Sequence, residues 1–115
     1  MRETLGDRLK RMRTLQNLGL RVTAGKVGIS ATYLSRVENN LESSPPSEEK
    51  IRALSDILHD NFDELMRLAG RVSSEVSEMI KADSKMPEFL RRARDKNYSA
   101  EELMKLLDTQ DTKPK

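Results

Sequence analysis

Between residues 24 and 39 the chain reads AGKVGISATYLSRVEN. Gly28 follows an apolar segment and can adopt the positive φ that a tight turn between two helices requires. Ser30 comes two positions later, and a serine hydroxyl is a preferred N-cap for a new helix. Ala24 has a small side chain, which lets two helices approach closely. The segment therefore predicts two short helices joined by a tight glycine turn.

The helix that follows Ser30, and runs to about Asn39, has two different faces. Ile29, Leu34 and Val37 are apolar and are expected to face the core. The outward positions are three small residues and one long cation: Ala31, Thr32, Ser35 and Arg36. The major groove of B-DNA is about 12 Å wide, which suits a helix with small residues at its tip and a long donor further along. The pattern is typical of a helix that enters a DNA groove.

Apolar spacing predicts helices along nearly the whole chain, and no alternating segment is long enough to indicate a strand. The predicted helices run from the Thr4 cap to about Asn17, from Leu20 to Val27, from Ser30 to about Asn39, from the Ser47 cap through Leu58, from Phe62 to Ala69, from Ser74 to Ala82, from Pro87 to Lys96 and from Ser99 to about Thr109. The first helix is expected to bury one stripe: Leu5, Leu9, Met12 and Leu15. Two consecutive prolines within residues 39–47 cannot continue a helix and predict a loop. The class is all-α.

Composition excludes several classes of protein. A chain of 115 residues is long enough for one core-bearing domain and a small extension. Because it has no cysteine, disulfides and thiolate metal sites are excluded, and a single His59 leaves little for zinc. No apolar segment approaches the roughly 18 residues of a membrane span, and the first ten residues lack the apolar core that a signal peptide is expected to have. We therefore expect no membrane association, no cofactor and no enzymatic activity, and a cytoplasmic location.

Charge is distributed unevenly along the chain. Residues 1–40 contain eight basic and three acidic residues, whereas the remaining 75 contain 13 basic and 16 acidic ones. A basic first third suits a polyanionic partner such as DNA, since cations on a protein displace the counterions of phosphate. The alternative is a fluctuation of charge on solvated helix faces.

The run from Ala24 through Gly28, Ile29 and Ser30 to YLSRVEN, residues 33–39, resembles the helix-turn-helix of the XRE family, which includes the lambda-type repressors and Cro. The resemblance extends over about residues 4–70 and implies a five-helix lambda-repressor-like DNA-binding domain. The three short C-terminal helices beyond it are predicted from apolar spacing alone. The resemblance also implies double-stranded DNA as a partner. The rival interpretation is an ordinary helical hairpin.

The resemblance implies a role for individual positions. Ala31, Thr32 and Arg36 would face base edges, and the Arg36 guanidinium can donate two parallel bonds to guanine, worth about 1–3 kcal/mol of discrimination. Six further residues are expected to contact phosphate, except that Ser35 is expected to contact either a base or phosphate: Arg21, Ser30, Tyr33, Ser35, Asn39 and Asn40. The alternatives are a solvated charge for Arg36, edge packing for Tyr33 and helix capping for the two asparagines.

Four further positions are implied to be architectural: Arg13, Ala24, Gly28 and Glu38. Arg13 and Glu38 match a pair that bridges the first helix to the end of the third in similar proteins. Two departures from the family pattern concern the second helix. Gly19, Leu20 and Arg21 replace the usual cap and glutamine at its start, and Thr23 replaces a large apolar residue. We therefore expect the second helix to be less firmly packed than usual.

The predicted organisation is a DNA-binding domain at 1–70, a helical extension at 71–110 and a disordered tail at 111–115. The apolar positions of the extension are expected to form either a subunit contact or intrachain core: Val76, Met79, Ile80, Phe89, Leu90, Tyr98, Leu103, Met104 and Leu107. The predicted function is a bacterial or phage transcriptional regulator, a repressor that binds a palindromic operator as a homodimer. The alternatives are an antitoxin-type regulator whose C-terminal region binds a toxin, and a helical protein-interaction module without DNA binding.

Overall fold

The computed structural model describes residues 2–111, and within them every regular element is an α-helix. The helices are α1 Leu5–Leu15, α2 Leu20–Val27, α3 Ala31–Glu38, α4 Glu48–Leu58, α5 Phe62–Leu68, α6 Ser74–Ala82, α7 Met86–Asp95 and α8 Ala100–Asp111. The predicted all-α class, with five helices and then three more, is confirmed. Helix ends differ from the predicted ends by no more than two residues.

The chain divides after Ser73 into two compact units, α1–α5 and α6–α8. The sequence places this boundary at residue 70, before a short connection that the structure assigns to the first unit. Of the predicted disordered tail at 111–115, Asp111 belongs to α8, and residues 112–115 lie outside the described part of the chain.

The first unit has an aliphatic core to which all five helices contribute. Its buried apolar side chains are Leu5, Leu9, Ala24, Val27, Leu34, Val37, Ile51, Leu54, Leu58, Leu65 and Met66. Leu15, however, is 66% exposed, so the prediction that it faces the core is wrong. At about 100° per residue, Leu15 lies roughly 80° around the helix from Leu5, beyond the edge of the buried stripe.

Thr23 is well accommodated in the middle of α2. Its side chain is 1% exposed, and its hydroxyl donates to the Gly19 carbonyl oxygen at 2.9 Å. A buried hydroxyl is costly only when it has no partner, and this one is satisfied within its own helix. Ala24 and Val27 are buried beside it. The expectation that α2 packs less firmly than usual is therefore wrong at this position.

The second unit consists of three short helices with little buried surface. Neither α6 nor α7 contains a buried residue. Most of the apolar positions singled out from the sequence are exposed: Val76, Met79, Phe89, Leu90, Tyr98, Met104 and Leu107. Ile80 and Leu103 are half-buried. The exposed positions therefore do not form a core within the second unit. Across residues 2–111, no helix combines the length and apolar character that crossing a membrane requires.

Candidate nucleic-acid interface

Gly28 makes the turn between α2 and α3 in a left-handed conformation, with φ 83° and ψ 34°. The backbone N–H groups of Gly28 and Ile29 both donate to the Ala24 carbonyl oxygen, at 2.9 and 3.0 Å. The Lys50 ammonium, from α4, donates at 3.4 Å to the carbonyl oxygens of Val27 and Gly28. Three partners thus satisfy the carbonyl end of α2, and the direction of α3 is fixed by the turn.

Ser30 caps α3, since its hydroxyl accepts a hydrogen bond from the Tyr33 backbone N–H at 3.0 Å. Leu34 and Val37 are buried, and Thr32 on the opposite side is exposed. Ala31 and Tyr33 are half-buried and pack against the edge of the core. The helix therefore presents a small polar surface at its N-terminal end, at Ser30 and Thr32, with Ala31 and Tyr33 at the margin.

Arg36 lies on the exposed side of the last turn of α3, and its side chain is half exposed. Its Nε donates to the Glu42 carboxylate at 2.6 Å, and its Nη2 donates to the Leu41 carbonyl oxygen at 2.9 Å. Both partners belong to the loop that follows α3. The guanidinium is therefore held by this loop in the free chain, an arrangement that the sequence analysis missed.

The two asparagines at the end of α3 have partners within the protein. Asn39 Nδ2 donates to the Ser35 carbonyl oxygen at 2.8 Å and so caps the helix, and Ser35 is half-buried. Asn40 has φ 60°, and its amide oxygen accepts from the Thr4 hydroxyl at 2.8 Å. Its Nδ2 donates to Asp7 at 3.3 Å. Asn40 thus ties the end of α3 to the N-terminal cap of α1.

Arg13 and Glu38 face each other across α1 and α3. Two parallel hydrogen bonds join them, from Nε at 2.8 Å and from Nη2 at 2.9 Å, and Arg13 Nη1 also donates to the Leu18 carbonyl oxygen at 2.9 Å. The Glu38 side chain is only 3% exposed. The hydrogen bonds to Glu38 raise the pKa of Arg13, against the effect of its burial. This pair holds the back of α3 to α1.

The start of α2 lacks a side-chain cap. Gly19 is the N-cap residue, with extended backbone geometry and no side chain to bond the first turn. Leu20 is half-buried and Arg21 is exposed. The N–H groups of this first turn form the positive end of the helix dipole and suit an anion.

Several of the basic side chains that create the charge asymmetry are paired. The pairs are Arg8 with Asp60 and Glu3, Arg11 with Glu3, Arg13 with Glu38, and Arg36 with Glu42. By contrast, Arg21 and Lys26 on α2 are exposed, and neither has a carboxylate within 4 Å in the part of the chain that the structure describes. Much of the formal positive charge of residues 1–40 is therefore neutralised by ion pairs within the domain.

Three residues that were not expected from the sequence support this surface: Glu42, Lys50 and Gly6, where the end of α3 leaves no room for a Cβ atom. A glycine inside a helical pattern is unfavourable for the helix and can indicate a packing requirement, so the sequence did contain a signal at Gly6. No sequence signal indicated Glu42 or Lys50, because local spacing along the chain does not encode their hydrogen bonds to Arg36 and to the end of α2.

Comparison with known proteins agrees with this geometry. A family model described as a helix-turn-helix domain matches residues 4–76. The HTH-type transcriptional regulator SinR of Bacillus subtilis (strain 168) is 30% identical over 82 residues, which are 67% of this chain and 74% of the relative.

Two solved structures of SinR are similar to the chain. A structure of SinR, described as the master regulator for biofilm formation, in complex with DNA has a TM-score of 0.50 and 30% identity, and the match covers 55% of this chain and 98% of the SinR chain in that structure. A SinR protein/SinI protein complex has a TM-score of 0.51 and 27% identity, with coverage of 94% and 95%. The matched domain and these relatives show that the chain belongs to the helix-turn-helix family and is an XRE-like transcriptional regulator.

Proposed function

We propose that the chain is a sequence-specific repressor that binds duplex DNA as a homodimer in the cytoplasm and occludes a promoter. The observation that carries the proposal is the presentation of α3. Its Leu34 and Val37 side is buried, and its capped N-terminal end leaves Ser30 and Thr32 exposed. The similarity to SinR, which has been solved in complex with DNA, supports the same use of the domain.

Within this proposal each exposed position has a function. Thr32, with Ala31 beside it, faces base edges at the tip of α3, and Arg36 reaches a base further along. Ser30, Arg21 and the N–H groups that start α2 contact phosphate. Contacts at the margin, to base or phosphate, are assigned to three residues: Tyr33, Ser35 and Asn39.

Asn40 is proposed to contact phosphate differently from what was expected from the sequence. Its side chain is engaged by Thr4 and Asp7, so its proposed phosphate contact is through the backbone that it holds near the end of α3. Arg13, Ala24, Gly28 and Glu38 support the surface from behind and contact no DNA.

In this proposal, two-fold assembly adds to the affinity that one chain has for DNA. One recognition helix contacts only a few base pairs, and a homodimer doubles the contacts across a palindromic site. The exposed apolar side chains of α6, α7 and α8 are the surface we assign to this contact. A second candidate for the same surface is a different protein, favoured by the solved SinR protein/SinI protein complex, whose match covers 94% of this chain.

Selection of bound duplexes from random DNA, followed by titration over a range of salt concentrations, tests the proposal. We expect log K to fall linearly with log salt, at about −0.9 per phosphate neutralised. Arg36→Ala is expected to lower preference for the selected site by about 1–3 kcal/mol and Thr32→Ala to lower it by less, while non-specific affinity changes little in either variant. Arg67→Ala, an exposed arginine of α5, is the matched control.

Three results would contradict parts of the proposal. Salt-independent binding would favour the alternative of a protein-interaction module. An equal loss of selectivity in the Arg67→Ala control would exclude a specific role for α3. Sedimentation of the chain as a monomer at the concentrations used for DNA binding would exclude the homodimer.

A further inference from the structure

We propose that Glu42 is a positioning residue that orients the Arg36 guanidinium and so sets the base preference of α3. The inference rests on the proposed function, because it assigns to the loop after the recognition helix a part in selectivity. Glu42 is not among the residues expected to contact DNA, and it acts only through Arg36.

The loop after α3 folds back onto Arg36 by both main chain and side chain. The Leu41 backbone N–H donates to the Arg36 carbonyl oxygen at 2.8 Å, and the Leu41 carbonyl oxygen accepts from Arg36 Nη2 at 2.9 Å. The positive φ of Asn40, 60°, makes this return possible. Asn40 is itself fixed by Thr4 and Asp7 of α1. The loop that carries Glu42 is thereby anchored to the body of the domain.

Glu42 completes this arrangement with a short charge-assisted bond to Arg36 Nε, at 2.6 Å. The Glu42 side chain is 26% exposed, whereas that of Arg36 is 50% exposed. A guanidinium has five N–H donors in a rigid plane, and the two bonds from the loop leave Nη1 and the second hydrogen of Nη2 available. Those donors can form a parallel pair of bonds to one acceptor edge, such as the O6 and N7 atoms of guanine.

The energetic consequence is preorganisation. An unrestrained arginine loses considerable rotamer freedom when it is fixed against a base, and a side chain already held by two bonds loses less. The same carboxylate lowers affinity for any duplex, because it places a negative charge on a surface that faces phosphate. Glu42 therefore raises discrimination while lowering general affinity, and these opposite signs separate positioning from a simple charge effect.

The test compares Glu42→Gln with Glu42→Ala in the full chain. Glutamine removes the charge but keeps an oxygen that can accept from Arg36, whereas alanine removes both. Each variant is titrated with the duplex selected by the wild-type chain and with a scrambled duplex, and thermal unfolding confirms that each remains folded. Glu49→Ala, an exposed acid in the first turn of α4, is the control for the loss of one negative charge.

We expect both Glu42 variants to bind the scrambled duplex more tightly than wild type. Only Glu42→Ala is expected to lose discrimination substantially, by a factor of about 3 to 10, with Glu42→Gln retaining most of it. In an Arg36→Ala background, Glu42→Ala is expected to change discrimination by less than about a factor of 1.5, because the residue that it positions is gone.

The inference is overturned if the alanine and glutamine variants discriminate equally, or if Glu42→Ala has the same effect with and without Arg36. An increase of discrimination in either variant would also overturn it, and would make Glu42 a competitor of DNA for Arg36. If the wild-type chain selects no duplex, the proposed function fails together with the inference. If the wild-type chain is selective and the Glu42 variants match it, the inference alone fails.

Discussion

Gly6 of α1 lies in close contact with the end of α3. A Cβ atom added there would lie 2.7 Å from Asn40 Oδ1 and 2.9 Å from the Glu38 carbonyl oxygen, and closer still to the Val37 carbonyl oxygen. Two of these neighbours are backbone atoms, which cannot move without moving α3. We expect Gly6→Ala to lower the free energy of unfolding by about 1–3 kcal/mol, measured by urea denaturation.

Gly25→Ala is the control for the Gly6 prediction. Gly25 lies within α2, and an added Cβ there would meet nothing within 4 Å. Alanine is favoured over glycine in a helix, so this variant is expected to gain about 0.5–1 kcal/mol. Equal effects of the two substitutions would mean that α1 and α3 are not in the close contact described.

Arg13 and Glu38 are a nearly buried pair, and removal of one partner leaves the other without compensation. We expect Arg13→Ala to destabilise the first unit by about 3–5 kcal/mol, measured by urea denaturation. A double variant, Arg13→Met with Glu38→Leu, is expected to cost much less than the sum of the single changes, because no charge is left buried.

The exposed pair between Arg67 and Glu64 provides the comparison. Its side chains are 66% and 35% exposed, and solvent screens the attraction between the two charges. Arg67→Ala is therefore expected to change the free energy of unfolding very little. A loss as small for Arg13→Ala would show that solvent reaches Glu38 and that the pair does not hold α3 in place.

At the scale of helices, Asp60 joins α1 to the turn between α4 and α5. Arg8 donates two hydrogen bonds to the Asp60 carboxylate, at 2.9 and 2.8 Å, and the Asp60 side chain is 4% exposed. Burial raises the pKa of Asp60, but the hydrogen bonds from Arg8 and from the Asn61 N–H outweigh burial and hold this pKa below its usual value. The ionised form is thus favoured in the folded chain.

This linkage predicts a pH dependence of stability. Because the folded-state pKa is lowered, the contribution of Asp60 is complete above the unfolded-state pKa of about 3.9 and is lost as pH falls through the folded value. We expect Asp60→Asn to be less stable than wild type at pH 7, with the difference narrowing below about pH 4. Urea denaturation from pH 7 to pH 2.5 measures this difference.

Asp56→Asn, at an exposed position of α4, removes the same formal charge and is the control for the Asp60 experiment. A difference between Asp60→Asn and wild type that stays constant down to the lowest pH at which the unit is folded would contradict the prediction. It would mean that the amide loses only packing or hydrogen-bond geometry, and that the carboxylate charge is unimportant.

Helix positions could be predicted from the sequence because the signals are local. Thr4, Ser30, Ser47 and Asn61 each cap the helix that follows, and apolar spacing identifies the buried stripes. At Asn61 only half of a capping box with Glu64 forms. The Asn61 side chain accepts from Glu64, but its backbone N–H donates to Asp60. The reciprocal bond fails because a nearer carboxylate competes for the same donor.

The surface of the candidate site could be predicted only in outline. The exposure of Thr32 and the burial of Leu34 follow from helical spacing, and the structure agrees with both. The pairing of Arg36 with Glu42 and of Asn40 with Thr4 depends on how loops return to the domain. Spacing along a helix contains no information about such contacts, since the partners are up to 36 residues apart.

For the whole molecule, the contrast between the two units matters most. The first unit encloses large aliphatic side chains that are 0–1% exposed, among them Leu9, Ile51 and Leu65. The second has helices of 9, 10 and 12 residues, with no buried residue in α6 or α7. Isolated helices shorter than about 12–15 residues are marginal in water. A partner surface would therefore stabilise the helices of the second unit.

The last prediction follows from this contrast and concerns association of the full chain. If a second copy supplies the partner surface, helix formation in α6–α8 is coupled to association, so the far-ultraviolet circular dichroism per residue at 222 nm should increase with protein concentration. Sedimentation equilibrium should show dimers forming over the same range. Phe89→Ser, at a half-exposed aromatic of α7, should shift both transitions to higher concentration, whereas Arg91→Ser, at an exposed basic position of the same helix, should shift neither. A signal that is independent of concentration, from a chain that sediments as a monomer, would mean that these helices are stable alone and that their apolar surface serves a different partner.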